Sequence, residues 1–450
     1  MPTIGIVANE VSGDMLGAAV VHELRRRLPD ARFVGVAGPR MQRAGCETLV
    51  DMERLSVMGL TEVIRHLREL LRIRRELARH FLDHRPDVFI GVDAPDFNLG
   101  LERQLRSAGI RTVHLVAPTV WAWRAGRVKG IRRAVDLMLC IFPFEEAFLL
   151  RHGIPARYVG HPLADEIPLS VDRAAARIAL GLPAKGQVIA ILPGSRAGEV
   201  ENLAQPFLRT ARRCHDERPG LRFVTPLVNA RLRRIYEAAL VREAPGLPIT
   251  LVDGRSRQVL AASDVILTAS GTATLEGLLL KRPMVVGYRV HPITYHLVKQ
   301  LRLVKVPYVA MANLLVGRGL APEFIQGRCR PDLLAPALLA LLDDPARVAQ
   351  IQSGYTRVHE GMRHQAAQQA AAAVIELIGG ARVWPPGTAD MPGMQEQSTA
   401  KPPGTADMPG MQERSTAKPQ EIVDMPGAQE SEERGDRASP ATPADGRPPA

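Results

Sequence analysis

TIGIVANEVSGDMLGAAVVHELRRRL, residues 3–28, carries the pattern from which the fold follows. After Thr3 the run through Ala8 is uncharged and rich in β-formers. A polar turn containing Asn9, Glu10, Ser12, Gly13 and Asp14 then gives way to apolar residues at helical spacing over Met15–Leu28. A buried strand, a tight turn and a helix form the first part of a βαβ unit. The same rhythm continues outward. Strands are expected at Arg32–Ala37, Asp87–Val92, Arg111–Val116 and Asp136–Ile141, with helices at Thr61–Leu82 and Leu99–Ala108 between them. It restarts with strands at Val188–Leu192, Arg222–Pro226, Ile249–Val252, Val265–Thr268 and Met284–Val286. Residues 160–187 read as the linker. The expected class is α/β: two Rossmann-like, doubly wound domains, 1–165 and 166–384, facing across a cleft. The terminal helices are expected to pack back on the first domain or to exchange with a second copy.

The tail shows itself by repetition. PPGTADMPGMQEQSTAK (385–401) recurs as PPGTADMPGMQERSTAK (402–418), and DMPG returns at 424–427. Such a Pro/Gly-rich segment buries too little apolar surface to offset its ordering entropy, so 385–450 is expected to be disordered. It holds 6 Lys/Arg against 11 Asp/Glu, which leaves residues 1–384 with 52 basic and 36 acidic groups. A body this basic calls for an anionic partner: nucleic acid, an anionic membrane or a phosphorylated substrate. The aromatic content of 4% and the lack of an RNA-binding motif speak against nucleic acid. No run of 18 apolar residues occurs, and the N-terminus lacks a basic leader, so the expected location is the cytoplasm. Cys46, Cys140, Cys214 and Cys329 are scattered, which argues against disulfides and a zinc site.

Two turns in the second half suit a nucleotide. Leu192-Pro193-Gly194-Ser195-Arg196 follows a strand and opens a helix: Gly194 permits the turn, Ser195 is placed to cap, and Arg196 is placed to pair with a diphosphate. Ala269-Ser270-Gly271-Thr272-Ala273-Thr274 repeats the arrangement, with Ser270, Gly271 and Thr272 offering close approach and phosphate donors. Glu276, one turn further on, is placed to accept ribose hydroxyls. Each turn alone reads equally well as an ordinary strand-to-helix connection; two in one domain, each beside a charged residue, favour a nucleotide site. No GxxxxGK[ST] is present.

In the first half, Asp93 of GVDAPDFN stands where α/β folds place catalytic groups, and it is the candidate general base. Asp96 and Asn98 read as helix caps, as do Ser12 and Asp14, whereas capping leaves Glu10 unexplained, so Glu10 is a second candidate for the cleft. Trp121 and Trp123 beside Arg124, Arg127, Lys129, Arg132 and Arg133 suit a sugar and a phosphate, although core packing explains one Trp equally well. Residues 61–82 form an amphipathic pattern in which Arg65, Arg68 and Arg72 face Glu residues. It reads first as a surface helix with i,i+4 pairs and second as an interfacial membrane contact.

The spans GVAGPRMQRAGCE, VMGLTEVIRHL, PDVFIGVDAPDFNLGLE, TVWAWR, VGHPLAD, LPGSR, EVENL, ASGTATLE, PMVVGYR and NLLVGR occur in that order. Together they resemble the lipid-A-disaccharide synthase family over about Thr3 to Ile378. The resemblance implies a GT-B glycosyltransferase fold; no DxD pair follows a strand, so no metal is expected, and no cofactor either. The reaction it implies joins UDP-2,3-diacylglucosamine to 2,3-diacylglucosamine 1-phosphate through an inverted β-1,6 bond, releasing UDP at the inner-membrane surface. By matching position, Asp93 takes the place of the essential aspartate, Glu10 the first-loop glutamate, Arg196 the diphosphate arginine and Glu276 the ribose carboxylate. Asn313 of NLLVGR matches the asparagine near the nucleotide, and the family's exchange of C-terminal helices implies a homodimer that shares these sites. Asn9, Ala117 and Gly319 depart from the usual Gly, Ser and Glu, which bears on fine geometry. Rival readings are another GT-B enzyme on a UDP-sugar (an epimerase or a peptidoglycan glycosyltransferase) and a non-catalytic scaffold.

Overall fold

The strands pair into two fully parallel sheets, which take two layers of helices because the central strands are apolar and buried on both faces. The computed structural model describes residues 1–55, 60–121, 125–290 and 306–380, with 60–66 and 125 as backbone only. The repeat tail, Trp123, Arg124 and the side chain of Arg65 lie outside the described residues. The first sheet contains β1 (Thr3–Ala8), β2 (Arg32–Val36), β3 (Cys46–Thr48), β4 (Val88–Val92), β5 (Arg111–Leu115), β6 (Leu137–Cys140) and β7 (Ala156–Tyr158), in the order β3-β2-β1-β4-β5-β6-β7. The second contains β8 (Val188–Leu192), β9 (Arg222–Leu227), β10 (Ile249–Asp253), β11 (Val265–Thr268), β12 (Met284–Tyr288) and β13 (Glu323–Ile325), in the order β10-β9-β8-β11-β12-β13. The expected pair of doubly wound sheets is present.

Both orders reverse direction at one point. In the first sheet the reversal lies between β1 and β4, where Ala8 is in register with Val92. In the second it lies between β8 and β11, where Leu192 is in register with Thr268. Connections leave these strand pairs toward opposite faces, opening a crevice beyond their carboxyl ends. Every candidate turn named from the sequence emerges at one of these two crevices. β3, β7 and β13, each of three residues, were not expected. Segments that short carry no periodic pattern, and they form strands because a neighbouring edge pairs with them.

Both sheets lie within one compact unit. Met15, Val116 and Phe144, all near the carboxyl edge of the first sheet, pack against a buried cluster that runs from Ile141 and Phe142 into the core of the second. The chain also crosses back. Helix Ala366–Ile378 buries Ala370, Ala371, Ala373 and Val374 in the first sheet's core with Val20, Val21 and Leu24. Asp165 caps that helix, accepting the N–H groups of Gln365 at 3.0 Å and Ala366 at 2.6 Å. Arg157 pairs with Glu376 at 2.7 Å, and Arg111 donates to the carbonyl of Ile378 at 2.9 Å.

The helix expected at 61–82 spans Leu60–His84 and packs through Ile73, Leu77, Ala78 and Phe81 against Phe89, Leu101 and Leu105. Leu67, counted in its apolar stripe, is instead 46% exposed.

Candidate functional site

At the first crevice β1 delivers Asn9 and Glu10, and β4 delivers Asp93. Helix Val11–Arg27 starts from Glu10, whose carboxylate caps no N–H and instead accepts the Ser12 hydroxyl at 2.6 Å. Ser12 therefore orients Glu10 and is not the expected cap. Asp14 is not a cap of this helix either. It is buried and accepts the N–H groups of Arg40 at 3.0 Å and Met41 at 2.9 Å, tying down the start of the next helix.

Asp93 and Ala94 both lie in the left-handed region, at φ 52° and 43°, and Val116 at the end of β5 lies at φ 79°. Each such non-glycine residue costs about 1–3 kcal/mol, and the strain persists only where the surroundings over-determine it. Here Asp93 N donates to the carbonyl of Leu115 at 2.8 Å, and Val116 N to that of Leu139 at 3.0 Å. From beneath, the Asn98 amide donates to the carbonyls of Asp93 at 2.9 Å and Val92 at 3.3 Å. Asn98 is thus a brace for the strained turn rather than a helix cap. Asp96, also expected as a cap, pairs with Arg127.

Burial raises the Asp93 carboxyl above its ordinary pKa. The backbone N–H of Ala94 opposes this, the charge of Glu10 adds to it, and the His114 imidazole opposes it. A half-buried carboxylate of increased basicity on a strained strand end is well suited to take a proton.

Trp121 is half-buried. Its indole N–H donates to Glu145 at 3.3 Å, and its ring meets Phe144 edge-on at 4.6 Å. Glu145 also accepts the N–H groups of Ile141 and Phe142, and burial pushes its pKa up to about 8.

At the second crevice Gly194 and Gly271 take φ values of 124° and 127°, which side chains rarely adopt. The helix after Gly194 spans Ala197–Glu217. Glu199, not Ser195, ties down the turn just before it: the carboxylate accepts Ser195 N at 3.0 Å and Arg196 N at 3.3 Å. It also faces the exposed guanidinium of Arg196 at 3.5 Å. Gly271 precedes helix Thr272–Leu279. Gly271 and Thr272 are exposed, whereas the Ser270 hydroxyl is committed to the carbonyl of Val309 at 2.8 Å.

Glu276 projects from that helix with 17% side-chain exposure and pairs with Arg257 at 3.3 Å. Burial raises its pKa, and Arg257 draws it back. Asn313, expected beside the nucleotide, has no exposed surface. Its amide donates to Ala321 O and to Glu323, each at 2.8 Å, and accepts Ala321 N at 2.9 Å. Glu323 in turn accepts the N–H groups of Val309 and Ala310. Asn313 therefore braces the loop that holds Ser270; in this structure it acts from behind the crevice.

Sequence reasoning did not single out Glu199, Arg257, Glu323 or Glu145. For Glu199 a signal existed, a Glu three residues after the helix start, as in a capping box. The partners of Arg257 and Glu323 lie on other elements and leave no local trace. Arg68 and Arg72 are exposed on helix Leu60–His84, far along the chain from both turns, and Arg72 pairs with Glu76 at 2.8 Å.

The family profile described as lipid-A-disaccharide synthetase matches residues 4–377. The lipid-A-disaccharide synthase of Pseudomonas aeruginosa (strain UCBPP-PA14) is 55% identical over 375 residues, covering 83% of this chain and 98% of that one. That of Methylobacillus flagellatus is 48% identical over 379 residues, covering 84% and 100%. Among solved structures, the glycotransferase of kitacinnamycin superposes with a TM-score of 0.57 at 18% identity, covering 84% of this chain and 99% of that one. The UDP-GlcNAc 2-epimerase of Neisseria meningitidis bound to UDP-GlcNAc superposes with a TM-score of 0.53 at 14% identity, covering 84% and 100%. These likenesses identify the fold as GT-B.

Proposed function

The chain belongs to the lipid-A-disaccharide synthetase family, a family of glycosyltransferases of lipid A synthesis, and from that premise we propose how its two crevices divide the reaction. The donor is UDP-2,3-diacylglucosamine and the acceptor 2,3-diacylglucosamine 1-phosphate. Asp93 takes the proton of the acceptor's 6-hydroxyl, and the oxygen attacks the anomeric carbon from the side opposite UDP. A β-1,6 bond forms, the bond from C1 to the diphosphate oxygen breaks, and UDP leaves with the electron pair. Glu10 raises the basicity of Asp93 by its charge.

Arg196 and the N-termini of helices Ala197–Glu217 and Thr272–Leu279 face the leaving diphosphate, with Gly194, Ser195, Gly271 and Thr272 giving it close approach. Glu276 accepts the ribose hydroxyls, while Ser270 and Asn313 hold the wall behind them. Trp121 flanks the acceptor. The observation that carries this reading is the pairing of a strained, more basic carboxylate at one strand reversal with an arginine-bearing glycine turn at the other.

No described helix is long and apolar enough to cross a membrane. Both substrates nevertheless carry acyl chains, so the enzyme works from the cytoplasmic side while touching the anionic inner leaflet through helix Leu60–His84. Helix Ala366–Ile378 docks on its own first domain; a homodimer formed by exchanging it would reproduce the same contacts in trans.

The test is product formation from the two acylated substrates with UDP release. Asp93→Asn should lower turnover by about 10²–10⁴-fold while UDP affinity is kept. Turnover of UDP-GlcNAc without lipid would instead favour an epimerase.

A further inference from the structure

Beneath Asp93 lies a buried polar column that the reaction as described does not use. His114 on β5 is in register with Gly91 on β4, two residues before Asp93. Its Nδ1 is 2.7 Å from Glu102 Oε1, and neither residue has any exposed surface. Glu102 rises from helix Pro95–Ser107 into the space that Gly91 leaves. A Cβ at Gly91 would stand 2.1 Å from Glu102 Oε1 and 3.0 Å from the Cβ of Asn98. One helical turn nearer the active edge, Asn98 braces the carbonyl of Asp93.

The column is costly. Among the described residues five buried side-chain polar atoms lack a hydrogen-bond partner, and three of them are here: Asn98 Oδ1, Glu102 Oε2 and His114 Nε2. A buried carboxylate–imidazole pair with unmet hydrogen bonds is poor material for stability alone, because well-packed apolar residues serve a core as well or better. Its position beneath Asp93 supplies a functional reason for retaining it.

We propose that the His114–Glu102 couple is a positioning pair for Asp93, holding its carboxylate ionised from beneath the strand ends. The proposal rests on the reading of Asp93 as the base. The imidazole stands in register with Gly91, two residues before Asp93, and opposes there the effects of burial and of Glu10. Burial pushes the Glu102 carboxyl up, and the adjacent imidazole holds it down. Among the described residues, the other charged groups near the column are engaged or lie behind it. Asp96 pairs with Arg127. Asp136 is held by Arg106 at 2.7 Å. Arg74 lies behind Gly100 on the far face of the helix. Without Glu102 the buried ring loses its hydrogen-bond partner, so removing either member disturbs the same couple.

The experiment uses the full chain with ¹³C-labelled aspartate, the Asp93 carboxyl signal being assigned through Asp93→Asn. In Glu102→Gln, His114→Asn and the double variant Glu102→Gln/His114→Gln, the midpoint of the Asp93 titration should move to higher pH. Turnover should fall at the acidic end with KM for the donor unchanged. Gly91→Ala, which displaces Glu102 without removing a titratable group, should shift the midpoint in the same direction. The double variant keeps an amide hydrogen bond in the column and decides the matter if a single one fails to fold. An unmoved Asp93 midpoint in folded variants overturns the proposal. If the acidic limb of turnover survives Asp93→Asn, the base assignment falls, while the carboxyl titration still judges the couple.

Discussion

Arg257 donates its Nε to Glu276 across 3.3 Å and, through Nη1, holds Glu166 of the linker at 2.9 Å. The carboxylate proposed for the ribose is thus anchored by a residue that also grips the segment joining the two sheets. Arg257→Ala should raise KM for the UDP-sugar by about fivefold, the low end for a half-exposed charged hydrogen bond, and leave kcat nearly unchanged. Arg257→Lys should recover part of the loss. Steady-state kinetics with donor varied checks both; a fall in kcat alone would place Arg257 in the chemical step instead.

Departure of UDP is expected to need no metal, because Arg196 and two helix N-termini meet the diphosphate. Turnover should survive EDTA, and Arg196→Ala should weaken UDP binding and turnover together, since its charge acts before and during departure. Activity abolished by EDTA and restored by magnesium would refute this.

Glu145 makes a pH signature in stability. Its folded-state pKa is raised from 4.5 to about 8, chiefly by burial, so the folded chain binds this proton more tightly than the unfolded chain. The contribution is full below the unfolded value and is lost as pH rises through the folded one, with an upper bound of a few kcal/mol. Melting temperature measured between about pH 5 and 9 should decline less in Glu145→Gln than in the unmodified chain. Parallel declines would show that Glu145 is not the group responsible.

Helix Leu60–His84 is the proposed membrane contact. Each basic residue near an anionic surface contributes about 1 kcal/mol. Changing Arg65, Arg68 and Arg72 to Ser should therefore weaken sedimentation with anionic vesicles by about tenfold or more, and added salt should weaken it further. Equal binding of the unmodified chain to neutral and anionic vesicles would remove the electrostatic basis of the contact.

The sequence by itself determined what depends on neighbours along the chain. Alternating uncharged runs, polar turns and helical stripes specified two parallel doubly wound units, and the turns at Glu10, Asp93, Arg196 and Gly271 were legible because a strand's end and a helix's start are local events. Tertiary structure decided whatever depends on residues distant in sequence. It made Asp14 and Asn98 braces rather than caps, because each faces a neighbouring loop or strand end instead of its own helix start. It withdrew Asn313 behind the crevice, where Glu323 and Ala321 use all of its amide. It brought Arg257 to Glu276 and His114 to Glu102, pairs separated by 19 and 12 residues. A side chain's protonation and reach depend on burial and on charges supplied by other elements, and those are known only once the sheets have closed.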